Sequence, residues 1–457
     1  MKPINHTKKT LLFDVSVLSN ALNKGSGRSG IFWVAYNLLV EIMSRHIFEI
    51  RFYCAPDRMD DFLRAREQLF TSWKEIPIVN LYNHPSKRIY QIYRELKSRK
   101  DNTLPLREGR NVKHFGEGLQ EDNPPPKLKL RLPLKGGVSR LFWLSLMAFM
   151  RPILLLSRRA YHKIANIDEC DIFFSPMNSA PDEIMRAGHI KRFTILHDVT
   201  PLVLNNYNQQ AWNSWLGKLI RSMNTTDHYF ANSEHTKGDF IKYAPTISSE
   251  QITVIPLSTG LPYFPETDSE RLAAVKAKYN IPTNKRYALS LCTLEPRKNL
   301  PFAVKNFIRF IEENNINDLV FVLSGGHWGE FKAIIEREIS GIELIISTGY
   351  IDDEDMNTLY SGAEVFIYTS LYEGFGMPIL EAMQSGCPVI CSNTSSMPEV
   401  IGSAGITIDP TNDDELVEAL NKMYFDHEFR QECISKGVER AKLFSWKKAV
   451  DIICETI

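Results

Sequence analysis

The sequence of 457 residues lacks the features that mark several common classes of protein. Lys and Arg together number 54, as do Asp and Glu, so the zero net charge indicates no nucleic-acid partner. No uninterrupted apolar run reaches the roughly 18 residues of a membrane span, so we expect no transmembrane helix. The apolar stretch near the N-terminus is broken by Asp14 and has no small-residue cleavage site, which favours a first strand over a signal peptide.

Cysteine is scarce and irregularly spaced. The seven cysteines form no Cys-x-x-Cys pair and show no Cys/His ligand spacing. We therefore expect reduced thiols in a cytoplasmic protein, and no metal site. Cys387 and Cys391 are four residues apart, but the apolar run CPVIC around them indicates core thiols rather than ligands.

What the sequence does contain is an alternation of short apolar strands with amphipathic helices. Strands are predicted at TLLFDVSVL and FEIRFYCA, then at CDIFFSPM, RFTILHDV, HYFANS and QITVIPL, and in the second half at RYALSLCT, DLVFVLSGG, IELIISTGYI, EVFIYTS, CPVICS and GITIDP. Helices are predicted after Gly30, from Asp57 to about Trp73, and after the capping residue Ser233. This order is typical of α/β proteins whose parallel sheets are covered on both faces.

The length suggests about two to three domains. A stretch punctuated by proline and glycine, PLSTGLPYFPETDS, is typical of a linker. We predict two Rossmann-like domains facing each other across a cleft, at residues 1–262 and 263–443. The amphipathic segment 444–457 is predicted to be a helix that could cross back to the first of them.

A basic segment, residues 84–163, interrupts the first half of the chain. It contains 18 Lys and Arg and 6 Asp and Glu, an excess of 12 positive charges. A proline-rich break, NPPPKLKLRLPLKGG, precedes the apolar stretch LFWLSLMAFMRPILLL, which basic residues flank. This pattern favours a segment that lies in a membrane interface. The alternative is a partly disordered loop followed by a buried helix.

Two cations in LEPRKNL, Arg297 and Lys298, stand just ahead of a predicted helix. Cations are unfavourable at a helix N-terminus, so their placement there indicates a bound anion. We predict that both hold a diphosphate. Two solvated charges are the alternative.

Three further motifs follow predicted strands. Gly30 in GSGRSGI, and Gly325 and Gly326 in LSGGHW, would let a ligand approach the backbone, although plain turns explain such glycines equally well. His197, in LHDVTPL, stands at the carboxyl end of its strand, where ligands of open α/β sheets bind. We favour a role in the cleft over a structural one.

The stretch SLYEGFGMPILEAM places Glu373 and Glu381 on either side of a glycine turn. The backbone N–H groups of Phe375, Gly376 and Met377 are predicted to point into the cleft. A carboxylate accepts hydrogen bonds from sugar hydroxyls. Two carboxylates around a turn that can receive phosphate therefore suit a sugar nucleotide, with hydroxyls at both ends and the diphosphate between them.

Together these motifs resemble a known family. EGFGMPILEAMQSGCPVICSNTSSMPEV is similar to the signature of the retaining glycosyltransferases of family 4, which have the GT-B fold. TLEPRKNL, HDVTPL, ANSEHTKGDF, SGG and GYIDDEDMNTLYSGA resemble further parts of that family. The resemblance covers residues 170–450 well and 10–55 moderately, and it leaves out the basic segment.

The resemblance implies a retaining, metal-independent hexosyltransferase that needs no cofactor. Its donor would be a nucleotide-diphosphate sugar, with GDP-mannose as the best candidate. Its acceptor would be a growing or lipid-linked glycan of O-antigen or capsule, met at the inner face of the membrane. A sugar synthase or nucleotide-sugar epimerase with the same fold, or an inactive scaffold at the membrane, are the alternatives.

The resemblance also implies roles for the candidate residues. Arg297 and Lys298 would bind the donor diphosphate and stabilise the leaving group. Glu373 would hold the hydroxyls of the transferred sugar, together with the N–H groups of residues 375–377, and Glu381 would hold the ribose. In the first domain, His197 would lie beside the sugar, and the glycine at position 30 would approach the diphosphate.

Overall fold

The computed structural model describes residues 8–22, 30–79, 166–204, 214–293, 295–325 and 342–457. In these residues the chain forms two sheets of six parallel strands each. This confirms the predicted α/β class. We call the parts that carry the two sheets the first and the second domain. The basic segment 84–163 lies outside the described residues, so both interpretations of it stay predictions.

The first sheet has the strand order β2-β1-β3-β4-β5-β6. Its strands are β1 (Thr10–Asp14), β2 (Glu49–Tyr53), β3 (Ile172–Ser175), β4 (Lys191–Leu196), β5 (His228–Ala231) and β6 (Ile252–Val254). Both faces of the central strands are buried, as expected where helices cover a parallel sheet on two sides. The rings of Phe13 and Phe174 stack at 5.4 Å between centroids and join β1 to β3.

The second sheet has the strand order β12-β11-β10-β7-β8-β9. Its strands are β7 (Arg286–Leu291), β8 (Leu319–Ser324), β9 (Ile345–Gly349), β10 (Val365–Tyr368), β11 (Val389–Ser392) and β12 (Ile406–Ile408). Residues 319–324 of β8 are buried throughout, which explains why this strand reads as a continuous apolar run.

Fourteen α-helices are found in the described residues. They are α1 (Gly30–Ser44), α2 (Met59–Gln68), α3 (Asp182–Arg186), α4 (Thr200–Val203), α5 (Trp215–Ser222), α6 (Glu234–Tyr243), α7 (Ser269–Lys278), α8 (Leu300–Asn314), α9 (Met356–Ser361), α10 (Met377–Gln384), α11 (Met397–Ile401), α12 (Asp413–Phe425), α13 (His427–Ala441) and α14 (Trp446–Thr456).

Two elements of the first domain are shorter than the sequence predicts. Strand β1 was expected to continue to Leu18 but ends at Asp14, because the Asp14 carboxylate accepts the backbone N–H of Ser16 at 2.9 Å and turns the chain into a 3-10 helix. Helix α2 was expected to reach Trp73. It ends five residues earlier, at Gln68, and the N–H of Phe70 then donates to the Ala65 carbonyl at 3.2 Å, outside the helical hydrogen-bond pattern.

The two domains are joined by the linker that follows β6 and by the last helix. Helix α14 packs against α1, where Arg45 pairs with Asp451 at 2.7 Å. The indole N–H of Trp446 donates to the carbonyl of Thr259 in the linker at 2.9 Å. Gly260 lies against Trp33 so closely that a Cβ there would stand 2.4 Å from the indole. The C-terminal helix therefore contacts the first domain and the linker.

Two expectations about composition can be compared with the structure. All seven cysteines are free, and six of them are buried, including Cys387 and Cys391. Both are therefore core thiols. Among the helices of the described ranges, none combines the length and the apolar character that crossing a bilayer requires.

Candidate functional site

The carboxyl ends of strands from both sheets meet at one place in the described structure. Gly374 follows β10, and a Cβ on it would lie 2.1 Å from the carbonyl oxygen of His197, which follows β4. Gly30 begins α1, and a Cβ there would lie 2.3 Å from the methyl carbon of Met377 at the start of α10. Glycine is needed at 374 because backbones from the two domains approach closely there, whereas Gly30 faces the end of the flexible Met377 side chain.

Glu373 lies at the centre of a buried cluster of polar groups. Its side chain accepts from the ammonium of Lys298 at 2.6 Å, from the phenol of Tyr368 at 2.8 Å and from the hydroxyl of Ser370 at 2.5 Å, all on Oε1. Its other oxygen pairs with Arg297 at 2.7 Å. Each of the two carboxylate oxygens is thus held by a cation.

The local sequence explains how the cations reach this carboxylate. Pro296–Lys298 forms one turn of 3-10 helix directly before α8, and Asn299 takes a left-handed conformation with φ of 54°. That turn presents Lys298 to the interior, where it is 7% exposed, and leaves Arg297 half-buried. Arg297 also pairs with Glu295 at 2.7 Å and donates to the carbonyl of residue 372 at 3.1 Å.

Burial alone would raise the pKa of Glu373. The charges of Lys298 and Arg297, and their hydrogen bonds, overcome this and lower the pKa of Glu373 from 4.5 to about 2. Glu373 is therefore a fixed anion at any physiological pH. It can accept hydrogen bonds from hydroxyl groups, but it cannot serve as an acid near neutral pH.

Glu381 stands in a different environment. It lies on α10, is partly exposed, and accepts a hydrogen bond from the phenol of Tyr360 at 2.9 Å. Burial raises its pKa from 4.5 to about 7, and the hydrogen bonds from Tyr360 and Tyr263 only partly oppose this. In contrast to Glu373, no cation contributes to its pKa shift. The two carboxylates of the motif therefore differ in charge behaviour, although they are eight positions apart.

His197 is buried and held in one tautomer. Its Nε2 lies 2.6 Å from the carbonyl oxygen of Pro176, so the ring proton resides on Nε2 and Nδ1 is left as an acceptor. Burial lowers the pKa of His197. The carbonyl of His197 accepts from the side-chain amide of Asn232 at 2.8 Å. The imidazole is consequently neutral at physiological pH and can accept, but not donate, at Nδ1.

Hydroxyl groups of both domains bind the carbonyl groups of the loop between Glu373 and α10. The Ser396 hydroxyl lies 2.9 Å from the carbonyl oxygens of Glu373 and Phe375. The carbonyl of Gly374 likewise accepts hydroxyl hydrogen bonds. Because the N–H of a trans peptide points opposite to its C=O, the N–H groups that follow these carbonyls point away from the hydroxyls. Gly376 then caps α10 with φ of 103°.

The ring of Phe375 is not part of this polar surface. It is 7% exposed and contacts Phe444 edge-on at 5.8 Å between centroids. The predicted contribution of Phe375 and Met377 therefore rests on their backbone, while their side chains pack against protein atoms.

Gly325 has a structural reason to be glycine. Its φ is 139°, and a Cβ would lie 1.8 Å from the carbonyl oxygen of Cys292. Only glycine fits beneath the loop that leads to Arg297. Its predicted contact with the donor stays a prediction. Gly326, and residues 25–29 of the first glycine motif, lie outside the described residues.

Sequence reasoning missed the uncharged partners in the site. Tyr368 and Ser370 bind Glu373, and Tyr360 binds Glu381. The only signal was position, since Tyr368 and Ser370 stand at the carboxyl end of a predicted strand, immediately before Glu373. The sequence also gave no sign that Lys298 and Glu373, 75 positions apart, form an ion pair.

Within the described residues, Asp352, Glu354 and Asp355 have carboxylates close enough to share a metal ion. Lys278 already donates to Asp352 at 2.8 Å and to Asp355 at 2.5 Å. Since an ammonium group supplies the positive charge there, we assign no metal to this group.

Comparison with known proteins finds a family and several relatives that match parts of the chain. The model of the family "Glycosyl transferases group 1" matches residues 273–440. The chain is 30% identical over 312 residues to the O-antigen chain mannosyltransferase B of Escherichia coli. The aligned region covers 66% of this chain and 80% of that protein. It is 26% identical over 274 residues to the serotype-specific mannosyltransferase WbdA of Escherichia coli, covering 58% of this chain and 33% of that longer protein.

Solved structures agree in fold. A sucrose-phosphate synthase from Thermosynechococcus elongatus superposes with a TM-score of 0.63 at 16% identity, covering 98% of each chain. WaaG, a glycosyltransferase involved in lipopolysaccharide biosynthesis, gives a TM-score of 0.56 at 12% identity, again over 98% of each chain. These likenesses show the fold alone, and they confirm the predicted GT-B arrangement of two Rossmann-like domains.

Proposed function

The chain belongs to the group 1 glycosyl transferases, and on that premise we propose that it transfers a mannosyl residue from a nucleotide-diphosphate sugar to a glycan. GDP-mannose is the proposed donor, and a growing or lipid-linked chain of a surface polysaccharide is the proposed acceptor. The mannosyltransferases named above support the sugar and the acceptor class, because they align over more than half of this chain.

The observation that carries the proposal is the buried cluster of Glu373, Lys298 and Arg297. A carboxylate with a pKa of about 2 can accept sugar hydroxyls without becoming protonated. The two cations beside it can stabilise the negative charge that develops on a leaving nucleoside diphosphate. A site that couples hydroxyl recognition to a cationic leaving-group pocket suits glycosyl transfer.

We assign the remaining roles from the same arrangement. Glu381 holds the ribose hydroxyls, and the N–H groups of residues 375–377 hold the sugar. His197 lies beside the sugar and accepts a hydroxyl at Nδ1. Gly30 and Gly325 bring the backbone close to the donor, with Gly326 next to them in sequence.

The proposed reaction retains the configuration at the anomeric carbon and needs no metal. The bond from the anomeric carbon to the phosphate oxygen breaks, and a bond to the acceptor oxygen forms on the same face of the sugar. The acceptor proton passes to the departing phosphate oxygen. This route requires no protein base, and neither Glu373, a permanent anion bound by cations, nor the neutral His197 is assigned that task.

Release of GDP from GDP-mannose in the presence and absence of a mannose-containing acceptor tests the function. We expect release that depends on the acceptor, and its loss in Glu373→Gln. Release that is independent of any acceptor would favour a different reaction. No GDP release above background by wild-type protein or by Glu373→Gln would favour the inactive scaffold. Nothing in the site favours the sugar synthase or the epimerase over a transferase.

We further propose that the protein acts at the inner face of the membrane and that the basic segment 84–163 supplies the attraction. Its excess of 12 positive charges and its apolar stretch support this part of the proposal. Flotation with anionic vesicles compares the full chain with a variant that lacks the segment. We expect only the full chain to float, and equal binding by both would contradict this role.

A further inference from the structure

The first turn of helix α6, in the first domain, contacts the loop that carries Glu373. Ser233 caps this helix and donates from its hydroxyl to the carbonyl of Gly374 at 2.9 Å. The hydroxyl of Thr236 lies 3.0 Å from the same carbonyl oxygen and 3.3 Å from the carbonyl oxygen of His197. Thr236 therefore stands between the strand end that carries His197 and the loop that carries Glu373.

A residue of the second domain completes the cap of this helix. Glu399, on α11, accepts the backbone N–H groups of Glu234 and His235, each at 2.8 Å. The hydroxyl oxygen of Ser233 accepts a hydrogen bond from the backbone N–H of Thr236 at 3.0 Å. A carboxylate at a helix N-terminus satisfies otherwise unpaired N–H groups and interacts favourably with the helix dipole. Because the other domain supplies it here, the capping of α6 depends on the two domains staying together.

Tyr372, the neighbour of Glu373, anchors the same loop. It belongs to the second domain, but its side chain is 4% exposed and packs in an apolar cluster of the first domain that includes Val199 and Phe240. Its phenol donates to Asp239 on α6 at 2.5 Å. Burial and the Asp239 charge raise the pKa of Tyr372, so the phenol keeps its proton and remains the donor.

We propose that Tyr372 and Glu399 are positioning residues, which fix the Glu373 loop against α6 and so hold Glu373 at a set place relative to His197. The inference rests on the proposed transfer reaction, in which these two groups face one donor sugar. The chain of contacts is short: Tyr372 precedes Glu373 directly, and Gly374 follows it and touches the His197 backbone. A small displacement of either anchor would shift the carboxylate, and such displacements reduce turnover more than binding.

The activity test uses Tyr372→Phe and Glu399→Ala with two matched controls. Tyr424→Phe removes a phenol that donates to Asp318 at 2.8 Å, and Glu415→Ala removes a carboxylate that accepts the N–H of residue 409 at 2.7 Å; both contacts lie within the second domain. We expect each interdomain variant to lower kcat by about tenfold, with the KM for GDP-mannose changing by less than about threefold. The controls should keep the wild-type kcat.

Hydrogen exchange provides a readout that does not depend on activity. In Glu399→Ala we expect faster exchange of the amides of residues 234–236 and 371–376 than in wild-type protein. Tyr372→Phe should accelerate exchange at 371–376. Glu415→Ala and Tyr424→Phe should leave both segments unchanged. The melting temperatures of all four variants show whether a loss of kcat simply follows a loss of stability.

The outcomes separate this inference from the proposed function. Accelerated exchange together with a lower kcat in the interdomain variants supports the positioning role. Wild-type kcat in those variants, or an equal loss in the controls, overturns it. If wild-type protein transfers no mannose, the proposed function fails, and the exchange data still decide the anchoring: unchanged exchange at 371–376 in both interdomain variants overturns it.

Discussion

At the scale of single residues, the site depends on two carboxylates with opposite behaviour. Glu373 is held by two cations, and its pKa falls to about 2. Glu381 is bound by tyrosine phenols, and its pKa rises to about 7. Loss of solvent raises the pKa of both carboxyl groups, so the difference between them comes from the charge of their partners.

Lys298→Met tests the ion pair at Glu373. The structure shows that this substitution leaves the buried Glu373 with one cation, Arg297. We expect loss of turnover and a free energy of unfolding lower by about 3 kcal/mol, as measured by urea denaturation. Lys305→Met is the matched control, because Lys305 pairs with Asp413 at the surface. If both variants lose the same stability, the buried pair has no special role.

Glu381→Gln tests the second carboxylate through pH. The folded pKa of about 7 exceeds the unfolded value of 4.5, so the folded state binds more protons between these values. The stability that protonated Glu381 contributes is full below pH 4.5 and is lost as pH rises through about 7. The glutamine in Glu381→Gln cannot ionise, so the free energy of unfolding of this variant, measured by urea denaturation, should increase relative to that of wild-type protein as pH rises from 5 to 8.

When urea denaturation is repeated at a series of pH values, the stability of Glu373→Gln relative to wild-type protein should change with pH in the opposite direction. Its folded pKa of about 2 lies below 4.5, so its contribution is full above pH 4.5 and is lost as pH falls towards 2. Glu373→Gln should therefore be less stable than wild-type protein at neutral pH. A difference between Glu381→Gln and wild-type protein that does not vary with pH would contradict the assignment for Glu381.

At the scale of elements, helix α14 joins the C-terminal end of the chain to the first domain. Ala449, Val450 and Ile453 are fully buried, and Ser445 caps the helix by accepting the N–H of Lys448 at 3.2 Å. Because this helix contacts α1 and the linker, its apolar face contributes to the stability of more than one part of the protein.

Ile453→Ala measures that contribution. Removing a buried isoleucine side chain leaves a cavity beneath α1, and we expect the free energy of unfolding to fall by about 2–5 kcal/mol. Glu455→Ala, on the exposed face of the same helix, should change it by less than about 0.5 kcal/mol. Equal effects in chemical denaturation would show that the helix does not pack as described.

At the scale of the whole molecule, the donor is expected to bind where the two sheets present the carboxyl ends of their strands. A ligand that binds only the native state stabilises it and so raises the melting temperature. At a ligand concentration of a hundred times the dissociation constant, the stabilisation is about 2.7 kcal/mol. The two domains already touch at Gly374 and at Gly30. We therefore expect donor binding to depend on residues from both halves of the chain.

Thermal shift with a panel of nucleotide sugars tests the proposed donor. We expect GDP-mannose to raise the melting temperature more than UDP-glucose does, because the proposed function uses a guanosine donor. The shift should vanish in Lys298→Met, which lacks one of the two cations proposed to bind the diphosphate. A larger shift with UDP-glucose would replace the donor assignment without affecting the transferase class.

The sequence by itself determined the order of strands and helices. Apolar runs flanked by turn residues predicted the strands of both sheets, and Ser233 marked the start of α6, which begins at the next residue as predicted. Such features depend on neighbours in the chain, which the sequence displays directly. The same local logic failed after Asp14, where a side chain turns the backbone. The motifs in the sequence also assigned Glu373, Glu381, Arg297 and Lys298 to one candidate site.

Only the tertiary structure decided how those residues are paired. Glu373 meets Lys298 across 75 positions, and Tyr372 inserts into an apolar cluster built from the first domain. The pKa of a carboxyl group depends on which charges and hydroxyls surround it and on how far water is excluded, and distant segments set both. For that reason two glutamates that look alike in one motif become a fixed anion and a titratable group in the folded protein.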